Sequence, residues 1–265
     1  IHRISQAAHA ISCGDLEQTV GGGHTQEVEL LAQAFNTMVL SLRRSFTALE
    51  DANSTLEERV LERTAALEKE TNKVERLLLN ILPRKIAEQL KQEQQPIAQS
   101  FESVSILFAD IVGFTPLSSE NSATYVVNLL NRLFCRFDDL VELHQLEKIK
   151  TIGDAYMVAA GMPDQRDDHA EAAAEMALAM LEATTRLSRE LGEHVSVRIG
   201  VHTGPAVAGV IGVRKFFYDV WGDTVNTASR LESHGEAGRI QVTEATRKAL
   251  QDGFTFHPRG IVDIK

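Results

Sequence analysis

Residues 101–115 read FESVSILFADIVGFT, and this stretch decides how the second part of the chain is interpreted. The mostly apolar run from Val104 to Phe108 predicts a buried strand. Asp110 follows at the end of that strand, and Gly113 then permits a turn that opens toward a helix. Backbone N–H groups in such a turn suit phosphate oxygens. An aspartate here is also typical of a helix N-cap, so both interpretations of Asp110 stay open.

Two later segments carry polar residues at comparable positions. Residues 150–157, KTIGDAYM, put Asp154 at the tip of a predicted strand–turn–strand unit. Its glycine–aspartate pair is a good hairpin turn, so turn chemistry is the alternative to a binding role. Residues 217–230, FYDVWGDTVNTASR, lead from a strand into a helix on which Asn226 and Arg230 share one face. On the surface, that pair would form only a polar network. In a cleft, it would bind a pentavalent phosphorus.

The two aspartates together indicate a possible cation site. Mg²⁺ prefers one or two carboxylates plus phosphate oxygens to a closed protein cage. Aspartates on the tips of neighbouring strands therefore suit divalent cations held beside a phosphate.

Helices and strands alternate around these segments. We predict helices over 123–144, 168–191, 223–233 and 243–250, and strands over 147–152, 155–160, 195–202, 206–211 and 240–242. The residues Thr203-Gly204-Pro205 are predicted to join two of these strands. Strand pairs mixed with helices predict an α+β sandwich, with helices over a mostly antiparallel sheet.

The first part of the chain has helical periodicity. A short amphipathic helix ends near Gly14-Asp15, and a second helix begins near Thr25. From Phe35 to Ile81, alternating steps of four and three residues meet apolar side chains at 11 of 14 positions. β-branched residues at a, leucines at d and one Asn53 at a favour a parallel, in-register dimeric coiled coil. A single long helix packed on its own domain is the alternative.

Composition excludes several classes of protein. The net charge of −10 opposes a general nucleic-acid binder. Two cysteines cannot form a disulfide framework, and no apolar run approaches the roughly 18 residues of a membrane helix. The first residues do not have the pattern of a signal peptide. We therefore expect a soluble piece, taken from a larger protein.

On these motifs, residues 101–265 resemble the catalytic domain of class III nucleotidyl cyclases, specifically adenylate cyclases. Residues 1–46 resemble a HAMP domain, through Gly14-Asp15-Leu16 and the run AFNTM at 34–38. Residues 47–82 resemble a signalling coiled coil, and residues 83–100 a transducer helix with a linker. The resemblance implies a ferredoxin-like α+β catalytic domain, preceded by an all-α HAMP domain and a parallel dimeric coiled coil, as in bacterial receptor cyclases.

The resemblance also implies a role for each motif residue. Asp110 and Asp154, with Ile111, would bind two Mg²⁺ or Mn²⁺ ions. Lys150 and Asp219 would select the base, and Asn226 and Arg230 would stabilise the transition state. The phosphates would contact the following residues: Arg198, Lys265, Ile111, Gly113, Phe114 and Thr115. The Gly-Lys-Gly that usually follows the lysine at 265 is absent from the chain.

The implied activity is the conversion of ATP to 3′,5′-cyclic AMP and pyrophosphate. Guanylate-specific relatives carry Glu and Cys where this chain has Lys150 and Asp219. The implied partner is a second copy, because related sites form between two catalytic domains. A membrane segment upstream of Ile1 would hold the chain at the cytoplasmic face. The alternatives are a guanylate cyclase and a catalytically silent signalling module.

Overall fold

The computed structural model describes residues 2–22, 25–92, 97–212, 216–250 and 253–261. The chain divides into two compact units, residues 1–76 and residues 77–265. Among the helices of the described ranges, none is long and apolar enough to cross a membrane. Most of the predicted linker at 92–96 lies outside those ranges.

The first unit contains helix α1 (His2–Ser12) and most of helix α2 (Gln26–Leu79). A small apolar core joins them, formed by Ala7, Val20, Ala32, Phe35 and Val39. The Asn36 side chain fixes the connector, because its amide accepts from Val20 N–H and donates to Val20 O, both at 2.9 Å. The two predicted helices and the turn between them are confirmed.

Helix α2 is continuous over 54 residues, and its predicted seam is exposed. Phe46 is 48% exposed, Leu56 57% and Leu67 68%. Beyond Val39, none of its described residues in this unit is buried, which contradicts packing of the whole helix on its own domain. A stripe of this length needs an apolar partner, so the dimeric coil stays the better prediction.

The second unit is an α+β domain built on one sheet. Its elements are α3 (Arg84–Lys91), β1 (Ala98–Ile111), α4 (Phe114–Glu120), α5 (Ala123–His144), β2 (Glu147–Ile152), β3 (Ala155–Ala160), α6 (His169–Leu191), β4 (Val197–Ile211), β5 (Phe217–Trp221), α7 (Asp223–Ser233), β6 (Ile240–Val242) and α8 (Glu244–Ala249). The strand order is β2-β3-β1-β4-β5, all antiparallel, and β6 pairs with β4 in parallel. The predicted mostly antiparallel sheet is confirmed.

Helices cover both faces of the sheet. Strand β1 alternates its side chains, with Leu107 and Ala109 packed in a core that includes residues of α5 and α6. Ile106 and Phe108 point into the opposite core, which includes residues of α3 and α7. Burial on both faces explains why the middle of β1 is nearly continuously apolar. The first carboxylate beyond this apolar stretch is Asp110.

The prediction of two strands joined at Thr203-Gly204-Pro205 is wrong, because β4 runs unbroken through them. Strand β1 shifts register between Phe101 and Val104, so Pro205 lies opposite a bulge. A proline has no N–H for the ladder and is tolerated at such an irregularity. Its carbonyl accepts from Thr224 Oγ1 at 2.6 Å, which ties the strand to α7.

Strand β2 begins at Glu147, a partly buried carboxyl. Burial, and then the charge of Asp164, raise the pKa of Glu147 to about 7. The folded-state pKa is above the unfolded value. The stability that protonated Glu147 contributes is therefore complete below about pH 4.5 and is lost as the pH rises through 7.

We predict that Glu147→Gln, which stays neutral, becomes progressively more stable than the parent between pH 5 and pH 8. Melting temperatures of the two proteins across this range test the prediction. Glu142→Gln, on an exposed position of α5, is the control and should show no such trend. A melting-temperature difference that does not change with pH would contradict the assigned pKa.

Candidate active site

Asp110 and Arg198 form a cross-strand pair. They lie directly opposite each other in the register of β1 and β4. Arg198 Nη2 donates to Asp110 Oδ2 at 2.7 Å. Asp110 lies near the end of β1 and Arg198 near the start of β4, at the edge of the core that includes α7. The strand pairing therefore sets where Asp110 lies, and Asp110 is not a helix N-cap, since that position of α4 belongs to Gly113.

Asp154 reaches the same place from a hairpin. Ile152 pairs with Ala155, which leaves Gly153 and Asp154 as a two-residue turn, and Gly153 has a φ of 63°. Strand β3 is hydrogen-bonded to β1, so this turn lies beside the end of β1. Burial, and then a hydrogen bond with Asp110 and the charge of Asp110, raise the pKa of Asp154 to about 6. The two carboxyl groups therefore lie close enough to interact.

Sequence reasoning did not select Glu232, which belongs to this cluster. Arg198 Nε donates to Glu232 Oε1 at 2.6 Å, so one guanidinium contacts two carboxyl groups. Burial raises the pKa of Glu232, against the opposing effect of Arg198. Its signal in the sequence is its spacing, because it comes four residues after the buried Ala228. A glutamate on the apolar stripe of a helix indicates a buried counter-ion.

Lys150 and Asp219 meet although their strands, β2 and β5, lie at opposite ends of the strand order. Lys150 Nζ is 2.6 Å from Asp219 Oδ2. The carboxylate also accepts from the N–H of Val220 through Oδ1, at 2.8 Å. An open cavity of about 580 Å³ lies beside this pair, lined by Lys150, Val220, Trp221, Gly222, Asp223, Val225 and Asn226.

Asn226 and Arg230 lie one turn apart on α7, and both are exposed. The opposite side of α7 is buried through Thr224, Ala228 and Leu231. Within the ranges that the structure describes, no hydrogen bond or ion pair joins Asn226 or Arg230 to Asp110 or Asp154. The structure therefore brings the two aspartates together with Arg198, and it brings Lys150 together with Asp219 and Asn226, but it leaves Arg230 apart.

The turn after β1 offers backbone groups. Gly113 has a φ of 74°, in the left-handed region, and precedes the first residue of α4, Phe114. The first N–H groups of a helix, here those of Phe114 and Thr115, have no carbonyl acceptor within the helix. The Ile111 side chain is buried, so only the main chain of this residue is available to contact a ligand. Lys265 lies outside the described residues.

The donor set fits a divalent cation that a phosphate completes. Two neighbouring carboxyl groups repel each other when both are ionised, and a cation relieves that repulsion. Within the described ranges, no group of three or more His, Cys, Asp or Glu residues forms a closed metal cage. Mg²⁺ and Mn²⁺ suit this open arrangement of oxygen ligands, since Mg²⁺ usually keeps waters or phosphate oxygens as further ligands.

Comparison with curated proteins gives relatives that are cyclases. An adenylate cyclase of Mycobacterium tuberculosis is 48% identical over 202 residues, which are 76% of this chain and 46% of that protein. The chain therefore spans about half the length of this relative.

Two solved structures share the fold. One is the catalytic core of a rhodopsin-guanylyl cyclase with converted specificity in complex with ATPαS, with 38% identity, a TM-score of 0.61, and coverage of 63% of this chain and 91% of that one. The other is the adenylyl cyclase CyaB from P. aeruginosa, with 29% identity, a TM-score of 0.60, and coverage of 63% and 89%.

Two family models match the chain. Residues 1–44 match the HAMP domain. Residues 97–265, more than half of the chain, match the adenylate and guanylate cyclase catalytic domain. The fold and the carboxylate pair described above agree with this second match. The chain belongs to the adenylate and guanylate cyclase catalytic domain family.

Proposed function

We propose that the chain is an adenylate cyclase, which converts ATP to 3′,5′-cyclic AMP and pyrophosphate. The observation that carries this proposal is the pairing of Lys150, which lines the open cavity, with Asp219 at 2.6 Å. Membership of a family that includes both adenylate and guanylate cyclases does not decide between ATP and GTP. We therefore infer the substrate from the polar groups at this cavity.

The choice of base follows from hydrogen-bond chemistry. Adenine presents an acceptor at N1 and a donor at its 6-amino group, which match the ammonium of Lys150 and the carboxylate of Asp219. Guanine reverses both groups and would leave buried polar atoms without partners. Since Lys150 and Asp219 already contact each other, the base has only to insert beside an aligned pair.

The reaction is an in-line displacement. The ribose 3′-hydroxyl loses its proton to water or to Asp110, its oxygen attacks the α-phosphorus, the bond from that phosphorus to the bridging oxygen breaks, and pyrophosphate leaves. Two divalent cations, held by Asp110, Asp154 and the main chain of Ile111, would lower the pKa of the 3′-hydroxyl and screen the triphosphate. Arg230 and Asn226 stabilise the charge that grows on the phosphorus. Arg198 and the turn at Gly113, Phe114 and Thr115 hold the phosphates, with Lys265 reaching the triphosphate.

We propose that the site is completed by a second copy of the chain. Exposed Asn226 and Arg230 on α7 support this, because within the described residues they form no hydrogen bond or ion pair with the aspartates of their own chain. The hairpin of β4 and β5 supports it too, since it exposes apolar cross-strand pairs: Ile211 with Phe217, and Val207 with Trp221. One chain then supplies Asp110, Asp154 and Arg198. Its partner supplies the base-selecting residues Lys150 and Asp219 and the residues of α7. A homodimer has two such sites.

The exposed seam of α2 supports regulation through the same dimer. We propose four segments, a HAMP domain at 1–46, a coiled coil at 47–82, a transducer helix with its linker at 83–100, and the cyclase domain at 101–265. A membrane segment upstream would place the chain at the cytoplasmic face. Helix rotation in the HAMP pair would pass along the coil and change the orientation of the two catalytic domains.

The shared site makes a prediction about mixtures of two inactive variants. Asp110→Ala and Arg230→Ala should each lower turnover by about 100-fold or more, since each removes one charge from both sites. A mixture in equal amounts should recover about a quarter of the parental turnover, because half of the dimers then carry one intact site. Cyclic AMP is measured before and after mixing, with subunit exchange verified. Exchange without recovery would contradict the composite site.

The hydrogen-bond argument for base selection predicts that replacing the two residues changes the substrate. The parent should form cyclic AMP from ATP with Mn²⁺ or Mg²⁺ and little cyclic GMP from GTP. Lys150→Glu combined with Asp219→Cys should reverse the preference, because the acceptor and donor positions are exchanged. Chromatography of the products from each nucleotide tests this. Lys148→Glu, on the same strand and paired with Asp138, is the control and should keep the preference for ATP.

The coiled coil makes a prediction about helical phase. One residue inserted near Ala66 rotates everything downstream by about 100° around the helix axis. Seven inserted residues restore the heptad phase. Cyclase activity should change strongly with the first insertion and little with the second. Because Arg63 and Glu70 interrupt the apolar seam, the coil can absorb part of the rotation there, and the change in activity would be smaller. Equal activity of both, in dimers verified by light scattering, would mean that the coil is only a tether.

A further inference from the structure

Glu232 is a buried carboxyl group whose ion-pair partner, Arg198, belongs to the candidate site. Its side chain is only 5–6% exposed. Oε1 accepts from Arg198 Nε at 2.6 Å, and Oε2 accepts from Ser233 Oγ at 3.2 Å. The Arg198 guanidinium in turn reaches Asp110 with its Nη2 atom. Three elements, β1, β4 and α7, thus meet in one row of charges.

The position of Glu232 is fixed by backbone contact. Helix α7 lies against β4 at Gly200, where a Cβ atom would come within 2.3 Å of Glu232 N and 2.6 Å of Ala228 O. Any larger residue would therefore push the helix away from the strand. The backbone of Glu232 is thereby held against Gly200, which is two residues along β4 from Arg198.

We propose that Glu232 is a positioning residue, which holds Arg198 so that Asp110 is free to take a cation. This inference rests on the proposed function, in which Asp110 is a metal ligand. The Arg198 charge is shared between two carboxylates. When Asp110 turns to a cation, Arg198 keeps its bond to Glu232 and stays directed toward the triphosphate. Without the Glu232 charge, the whole guanidinium charge would rest on Asp110 and compete with the cation.

The location of Glu232 separates this role from a structural one. Its helix also carries Asn226 and Arg230, which serve the other site of the proposed dimer. Glu232 should therefore act on the site that contains the aspartates of its own chain, and not on the site that its helix completes. A residue that only stabilised α7 would affect the site containing Arg230.

The first test measures Mn²⁺ binding to the nucleotide-free homodimer, from the electron paramagnetic resonance signal of the free ion. Glu232→Gln should weaken binding by at least about fivefold, because a charge-assisted hydrogen bond is replaced by a neutral one. Glu244→Gln, which removes one charge from an exposed pair on α8, is the control and should leave binding unchanged. Unchanged Mn²⁺ binding in folded Glu232→Gln protein would overturn the proposal.

A second variant separates competition by Arg198 from damage to α7. Adding Arg198→Gln to Glu232→Gln removes the guanidinium that, without Glu232, would compete with the cation for Asp110. Mn²⁺ binding should return at least to the parental level, and this variant keeps the test available where Glu232→Gln alone does not fold. Binding as weak as in the single variant, or weaker than in Arg198→Gln by fivefold or more, would mean that Glu232 acts without Arg198 and would overturn the proposal.

The third test uses the mixed dimer with one intact site. Glu232→Gln is added either to the Arg230→Ala chain, which supplies the working aspartates, or to the Asp110→Ala chain, which supplies the working Arg230. The Mn²⁺ concentration for half-maximal turnover should rise only in the first arrangement. An equal rise in both would assign Glu232 a structural role. If the mixture is inactive even without Glu232→Gln, the composite site is refuted. The role of Glu232 is then still tested by Mn²⁺ binding to the homodimer.

Discussion

The double-sided burial of β1 is the constraint on which the rest of the catalytic domain depends. The strand is paired on both edges, by β3 and β4, and covered on both faces by helices. Its middle accepts almost only apolar side chains, since an unpaired charge there would be costly. The first carboxylate after that apolar stretch, Asp110, lies where the strand leaves the core. The pairing of β4 then brings Arg198 opposite, and the β2–β3 hairpin brings Asp154 beside it.

The charges at this strand end do not balance. Three carboxyl groups, those of Asp110, Asp154 and Glu232, interact at this strand end, and Arg198 forms ion pairs with two of them, Asp110 and Glu232. The raised pKa of Asp154 reflects this excess together with its burial. Additional positive charge relieves such a cluster, and the divalent cations of the proposed reaction would supply it. Within the chain, the ion pairs of Arg198 with Asp110 and Glu232 offset part of this negative charge.

The two remaining groups of polar residues depend on long-range geometry. The first and last strands of the β2–β5 order approach each other closely enough for Lys150 to contact Asp219. Helix α7 buries one side against β4 and presents Asn226 and Arg230 on the other. The role proposed for Arg230 requires a phosphate beside it, and within the described residues its side chain contacts neither aspartate of its own chain. Together with the exposed seam of α2, this arrangement supports a site built from two copies.

Local patterns in the sequence determined the elements and the chemistry-bearing segments. The bounds of α5, β2, β3 and α7 agree with the prediction, because helical periodicity, alternation and turn glycines are properties of neighbouring residues. The heptads of α2 and the aspartates at strand ends were recognisable for the same reason. Only the tertiary structure decided that β4 continues through Pro205, that Lys150 meets Asp219, and that Glu232 holds Arg198. Each of these depends on residues far apart in the chain, which meet through strand register, the approach of the sheet edges and the close contact of α7 with Gly200. Local sequence patterns do not encode such contacts.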